Sequence, residues 1–163
     1  MGFMATGKST VGTKLARRLH RPFIDTDALV ERRAGKTVAE IFASEGEPRF
    51  REMEREAVEE ACGVPDAVIA IGGGALGDAA SRDRLLAAGP LVCLEATPEE
   101  ILRRVGDART RPLLAGATDR LARIRELLAA RESTYRLASH RIDTTGLRPD
   151  EVVDRVSTAV AAV

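Results

Sequence analysis

The sequence carries no excess charge of either sign: Lys+Arg and Asp+Glu stand at 25 each in 163 residues. A nucleic-acid binder presents a net basic face, so that class is excluded, while small anions need only a local cluster and stay open. No apolar run approaches the ~20 residues that span a bilayer. No charged segment followed by an apolar one marks a secretory signal. Cysteine is scarce: Cys62 falls in a helical context and Cys93 in a strand-like one, far apart and without metal-ligand spacing. Two small buried hydrophobes fit better than a disulfide or a redox pair, and a reducing cytoplasm is the expected location. There is no internal repeat, no low-complexity segment and no charge run that reads as a tail. The length fits one domain, 1–163, large enough to bury a core.

What is present alternates between helix and strand patterns. Val11, Leu15 and Leu19 recur every four residues after an N-terminal glycine loop, predicting a helix over about 7–20. "PFIDTD" reads as a strand ending in two acids. Thr37 and Glu40 form a capping box, and Phe50, Met53, Ala57 and Ala61 share one face of a further helix. "AVIAIGGGALG" is a buried strand entering a glycine cluster. A helix around "SRDRLLAAG" and a strand "LVCLEA" follow. Thr97, Pro98 and Glu100 then mark the N-cap, first position and box residue of another helix. "GDARTRPLLAGATD" has no clear period, is rich in Gly, Arg and Pro, and reads as a mobile excursion. A long helix over roughly 119–138, a strand "RIDT" and a helix from Pro149 complete an α/β chain with a mostly parallel sheet covered on both faces.

The first ten residues, "MGFMATGKST", match two patterns. From Gly2 to Ser9 they spell G-x-x-x-x-G-K-S, a loop whose glycines let backbone N–H groups and a helix N-terminus converge on phosphates. Lys8 then reaches the phosphates and Ser9 offers a hydroxyl to Mg²⁺. Only three basic residues are lysine, so one placed directly after Gly7 stands out. From Met1 to Thr6 the same stretch spells an N-myristoylation pattern. That pattern is loose, one acyl chain binds membranes only marginally, and no polybasic patch follows to supply a second anchor. The phosphate loop is the better reading.

Asp25 and Asp27, two apart at a strand end, are expected to project to one face: one toward Mg²⁺, the other toward a substrate hydroxyl. A solvated turn is the alternative. Gly72, Gly73 and Gly74 let a ligand approach the backbone, or form a tight turn. His20 and His140 have no catalytic partner in the sequence. Phe23, Phe42 and Phe50 read as core, with Phe50 the one placed to touch a substrate ring.

"GFMATGKST", "DTD", G-E-x-x-F-R-x-x-E (Gly46, Glu47, Phe50, Arg51, Glu54), "GGG" and "RPLL" occur in the order seen in shikimate kinases, and the resemblance covers essentially the whole chain. It implies a P-loop fold of the nucleoside-monophosphate-kinase type with five parallel strands, and transfer of the ATP γ-phosphate to the 3-hydroxyl of shikimate. By the same resemblance Gly2, Gly7, Lys8, Ser9 and Thr10 bind the nucleotide, and Ser9 with Asp25 orders Mg²⁺. Asp27 positions the attacking hydroxyl. Arg51 and Arg131 grip the shikimate carboxylate, with Gly73 and Gly74 lining that pocket. Arg111, in a lid over about 106–118, folds over the phosphates; Arg104 flanks adenine, with Arg148 as a further candidate. A monomer is expected, with shikimate and ATP as its small-molecule partners, no nucleic acid and no membrane.

Two departures from the family pattern stand out. Ala5 and Thr6 replace the usual glycine and serine, at positions that contribute mainly backbone. The family's first strand, central in the sheet and preceding the loop, has no counterpart in this sequence. With strands about 4.8 Å apart, its loss is expected to leave a gap of roughly 10 Å with unpaired backbone on both sides. Either the recorded start is too late or the chain is a damaged copy. A gluconate-kinase-like enzyme of the same fold, and a non-catalytic nucleotide-binding remnant, are the competing functions.

Overall fold

The computed structural model describes residues 1–106, 112–114 and 116–161. Local chemistry sets most helix starts. α1 (Lys8–Leu19) follows Gly7 and buries Val11, Leu15 and Ala16. β1 (Phe23–Asp25) runs directly into α2 (Thr26–Ala34). α3 (Val38–Cys62) opens on the expected capping box: Thr37 Oγ1 accepts from Glu40 N at 3.2 Å, and the Glu40 carboxylate accepts from Thr37 N at 2.7 Å. Gly46 (φ 82°, ψ 171°) breaks α3 into two helical segments two residues before Pro48. The second segment buries Phe50, Met53, Ala57 and Ala61, the face read from the sequence.

β2 (Val68–Ala70) leads through the three glycines to a 3-10 turn, Ala75–Gly77, and α4 (Ala79–Ala88). β3 (Val92–Glu95), α5 (Pro98–Val105), a 3-10 turn at Pro112–Leu114, α6 (Arg120–Tyr135), β4 (His140–Asp143) and α7 (Pro149–Ala161) follow. The box expected at α5 is only half made. Thr97 Oγ1 accepts from Glu100 N at 3.2 Å, but the Glu100 carboxylate is taken by Arg103 and Arg104, each at 2.7 Å. These guanidiniums hold its carboxyl down at about 2. Thr97 N donates to Thr145 Oγ1 instead, at 3.1 Å. Two charged partners displace one amide.

β1 pairs with β2, Phe23 opposite Val68, and β3 pairs with β4, Val92 opposite His140, both in parallel. The described residues therefore form two separate two-stranded sheets, four strands where the resemblance implies five. What joins the chain start to the second pair is slight. Gly2 makes one parallel bridge to Leu94, Leu94 N donates to Met1 O at 2.8 Å, and the Met1 amino group donates to Val92 O at 2.7 Å. Burial drives that amino group down to about 5, with the Lys8 charge pushing the same way. Met1 and Phe3 pack in one core cluster with Ile71, Leu91 and Cys93. No helix among the described residues is long and apolar enough to cross a membrane. Cys62 and Cys93 are free thiols, and Cys93 is fully buried.

Candidate active site

The Asp25 carboxylate ends β1 and caps α2, accepting from Asp27 N at 3.0 Å and Ala28 N at 3.4 Å. Asp27 therefore lies in the first turn of α2, not two residues along a strand. The common direction of these carboxylates comes from the strand-to-helix turn and not from the pleat. Both line one cleft of about 790 Å³, together with Lys8, Ser9, Arg51, Gly73, Gly74 and Arg131.

On the phosphate-loop side, Gly2 (φ 147°) and Gly7 (φ 94°) take conformations that favour glycine. A Cβ on Gly2 would collide with the Leu94 carbonyl oxygen. Lys8 Nζ and Thr6 Oγ1 both donate to the Phe3 carbonyl, at 2.9 and 2.8 Å. Ser9 Oγ donates to Asp25 Oδ2 at 2.5 Å, and Thr10 is exposed in the first turn of α1. Ala5 is less innocent than its backbone-only role implies. Its φ of 60° is left-handed, a region that costs an L-residue roughly 1–2 kcal/mol.

The three glycines form a floor, and each lies under a different charged group. A Cβ on Gly72 would sit 3.0 Å from Glu54 Oε1 and 3.2 Å from Asp27 Oδ1. One on Gly73 would meet Arg131 Nη1 at 2.7 Å and the Tyr135 hydroxyl at 2.8 Å. One on Gly74 would strike the Arg51 guanidinium, with Cζ at 2.9 Å. None of the three has a positive φ. The glycines are needed for close approach, not for a turn that other residues could not make.

Arg51 is held from both sides on α3. Its Nη1 donates to Glu54 Oε2 at 2.7 Å, and its Nε and Nη2 donate to Glu47 Oε1 at 3.2 and 2.9 Å. Its Cζ lies 5.2 Å from the Phe50 ring centroid, within cation–π range. Burial works against the Arg51 charge, but Glu54 and Glu47 more than offset it and hold its pKa above the usual value. Glu54 is 4% exposed. Burial pushes its carboxyl up; Arg51 opposes this, and the Asp27 charge adds to it. The direction for Glu54 is upward, because an acid removed from water beside a like charge resists ionisation. Arg131 sits across the cleft with its Cζ 5.3 Å from the Phe3 ring centroid.

Other sequence-picked residues lie elsewhere. Arg104 donates to Glu100 at 2.7 Å, to Thr144 Oγ1 at 3.0 Å, to Thr144 O at 2.7 Å and to Ala5 O at 3.4 Å. It ties the phosphate loop to the turn after β4. Arg148 is exposed and pairs with Glu151 at 3.3 Å. Arg111, with 107–110 and 115 of the expected lid, lies outside the described residues. Sequence reasoning missed Glu54 as a site residue. Its signal was a carboxylate on the face carrying Phe50, Met53 and Ala57, one helical turn after Arg51. Phe23, Phe42 and Phe50 all line the cleft; Phe42 also packs on the core cluster that holds Phe50, its ring tilted 45° to that of Phe50 at 4.9 Å.

Ser9 and Asp25 together offer oxygen donors suited to Mg²⁺, which beside phosphates needs only one or two protein ligands. The described residues contain no cluster of three or more His, Cys, Asp or Glu that could hold a metal ion unaided.

Comparison with known proteins gives one consistent result. A family profile described as shikimate kinase matches residues 4–161. A shikimate kinase of Caldanaerobacter subterraneus is 47% identical over 155 residues, covering 95% of this chain and 90% of that protein. One of Geobacter sulfurreducens is 47% identical over 159 residues, covering 98% and 87%. Among solved structures, shikimate kinase from Acinetobacter baumannii in complex with shikimate has a TM-score of 0.93 at 34% identity, covering 99% of this chain and 90% of that one.

Proposed function

This chain belongs to the shikimate kinase family, and on that premise we propose that it transfers the γ-phosphate of ATP to the 3-hydroxyl of shikimate. The observation that carries the proposal is the glycine floor, which brings Asp27, Arg51 and Arg131 into one cleft beside Lys8 and Ser9. A planar guanidinium matches a carboxylate with two parallel hydrogen bonds, so Arg51 and Arg131 are the groups for the acid of the acceptor. Gly73 and Gly74 leave the space those cations occupy. The solved relative carries shikimate in its own site.

Asp27 accepts a hydrogen bond from the acceptor hydroxyl, orients its oxygen and takes its proton as the new O–P bond forms. Glu54 holds Arg51 in place for the carboxylate. Lys8 exchanges the Phe3 carbonyl for the phosphates of the nucleotide, and the backbone of Gly2, Gly7 and Thr10 wraps them. Ser9 and Asp25 hold Mg²⁺, which when bound neutralises phosphate charge. Arg104 keeps the turn after β4 against the phosphate loop on the adenine side. The test is a coupled ADP-release assay with shikimate, gluconate and a nucleoside monophosphate in turn. Turnover with shikimate alone is expected. Turnover with either of the others but not shikimate overturns the proposal, and no turnover with any acceptor leaves a nucleotide-binding remnant.

A further inference from the structure

Tyr135 is the chain's one tyrosine, and its side chain is placed unusually. It lies on α6 four residues after Arg131, so the two share a helix face one turn apart. The residue is 3% exposed, and the polar group beside its hydroxyl is the Arg131 guanidinium, at a geometry short of a full hydrogen bond. A buried hydroxyl without a partner weakens a fold, and cores rarely keep one without cause. This hydroxyl does not point into apolar packing. It converges with Arg131 Nη1 on the spot above Gly73, since a Cβ there would meet the two at 2.8 and 2.7 Å. The Phe3 ring covers a face of the same guanidinium at 5.3 Å. Burial pushes the Tyr135 hydroxyl up to about 12, with the Arg131 charge pulling the other way.

We infer that Tyr135 is a positioning residue for Arg131, its hydroxyl accepting an N–H that the guanidinium does not spend on the acceptor's carboxylate. A guanidinium has five N–H donors and a carboxylate engages two in a bidentate pair, so others need acceptors once the site is dry. The tyrosine oxygen is a neutral acceptor, which fixes the fork without drawing off its charge. Glu54 does the corresponding work for Arg51 with a carboxyl group. The two cations are therefore held differently: Arg51 in an ion pair present before ligand arrives, Arg131 between an aromatic face and a hydroxyl. This inference rests on the reading of Arg131 as a carboxylate-binding group.

Tyr135→Phe removes the hydroxyl and keeps the ring in the core. Steady-state kinetics, thermal melts and a cycle with Arg131→Ala test the inference together. The shikimate KM is expected to rise about three- to tenfold, the size of one hydrogen bond, with kcat and the ATP KM unchanged. The melting temperature should hold, because the ring keeps its packing in the core. In the Arg131→Ala background the same substitution should change nothing. A lowered melting temperature with both KM values moving equally shows a purely structural tyrosine and overturns the inference, as does an unchanged shikimate KM. If Arg131→Ala leaves shikimate binding intact, the reading of the site itself has failed and this inference falls with it. If Arg131→Ala weakens shikimate while Tyr135→Phe does not, only the inference falls.

Discussion

The two halves of this molecule are held together in opposite ways. Around β1, β2 and α3, charged groups are tied to one another before any ligand is present. Arg51 bridges Glu47 and Glu54, and the guanidinium rests on Gly74. Around the phosphate loop the ties run through backbone atoms: the bridge at Gly2, Leu94 N on Met1 O, an amino group buried against Val92 O, and Lys8 and Arg104 on the carbonyls of Phe3 and Ala5. An acceptor acid can bind to a preformed arrangement. A triphosphate must first draw Lys8 from its carbonyl. Pre-organisation lowers the entropic cost of the first step and not of the second.

If that contrast is right, strengthening the weak half should have the largest effect. An apolar segment of about five or six residues joined ahead of Met1 would add a strand between the two sheets. Several buried side chains at ~1.5–3 kcal/mol each put the gain on the order of 5 kcal/mol. Urea melts of the two forms measure it, and ATP should bind more tightly to the extended form. Equal melts and equal ATP affinity would mean that Met1 and Phe3 already do a strand's work.

Substitutions at the chemistry come next. Lys8→Ala and Asp27→Asn should each lower turnover by roughly 10²–10³, the usual loss for one group acting on developing charge or the nucleophile. The halves separate here as well. Lys8→Ala should weaken ATP binding, whereas Asp27→Asn should leave it unchanged in equilibrium titrations. Near-normal kcat in Asp27→Asn would assign the wrong carboxylate.

Ala5→Gly relieves the left-handed residue in the loop and should stabilise the chain by about 0.5–1 kcal/mol, read from denaturant melts. A loss of stability would show that the methyl group is packed to advantage. The smallest effect is a slope. Burial raises the Glu54 carboxyl in the folded chain above its unfolded value, so folding takes up a proton between the two. The stability this gives is full below the unfolded value and is lost as pH rises through the folded one. Against Glu54→Gln, the wild type should lose ground from the ordinary carboxylate range toward neutrality. A difference that does not vary with pH would place Glu54 in water-like surroundings.

The element pattern was legible because apolar periodicity and caps are local. Thr37 with Glu40 reads the same in sequence and in space. Misreadings came where one group has several partners within reach and only the structure shows which it takes. Glu100 leaves Thr97 for Arg103 and Arg104, which no capping rule weighs. Asp27 belongs to a helix because Asp25 caps it, and alternation along a strand cannot show that. The triple glycine could be seen, but not which charge lies over each residue, since Arg51, Glu54 and Arg131 arrive from two other helices. Phe23, Phe42 and Phe50 could be read as apolar packing, but not that they also wall the cleft, since apolarity does not report the direction of a ring.

The central claim is that the acceptor's acid meets Arg51 and Arg131 and that the nucleotide does not. Calorimetric titration of shikimate and of ATP, separately, into Arg51→Ala and Arg131→Ala tests it directly. A lost charge-assisted hydrogen bond is worth about 1.5–3 kcal/mol, so shikimate affinity should fall by roughly one to two orders of magnitude while ATP affinity holds. Equal losses for the two ligands, or intact shikimate binding, would contradict it.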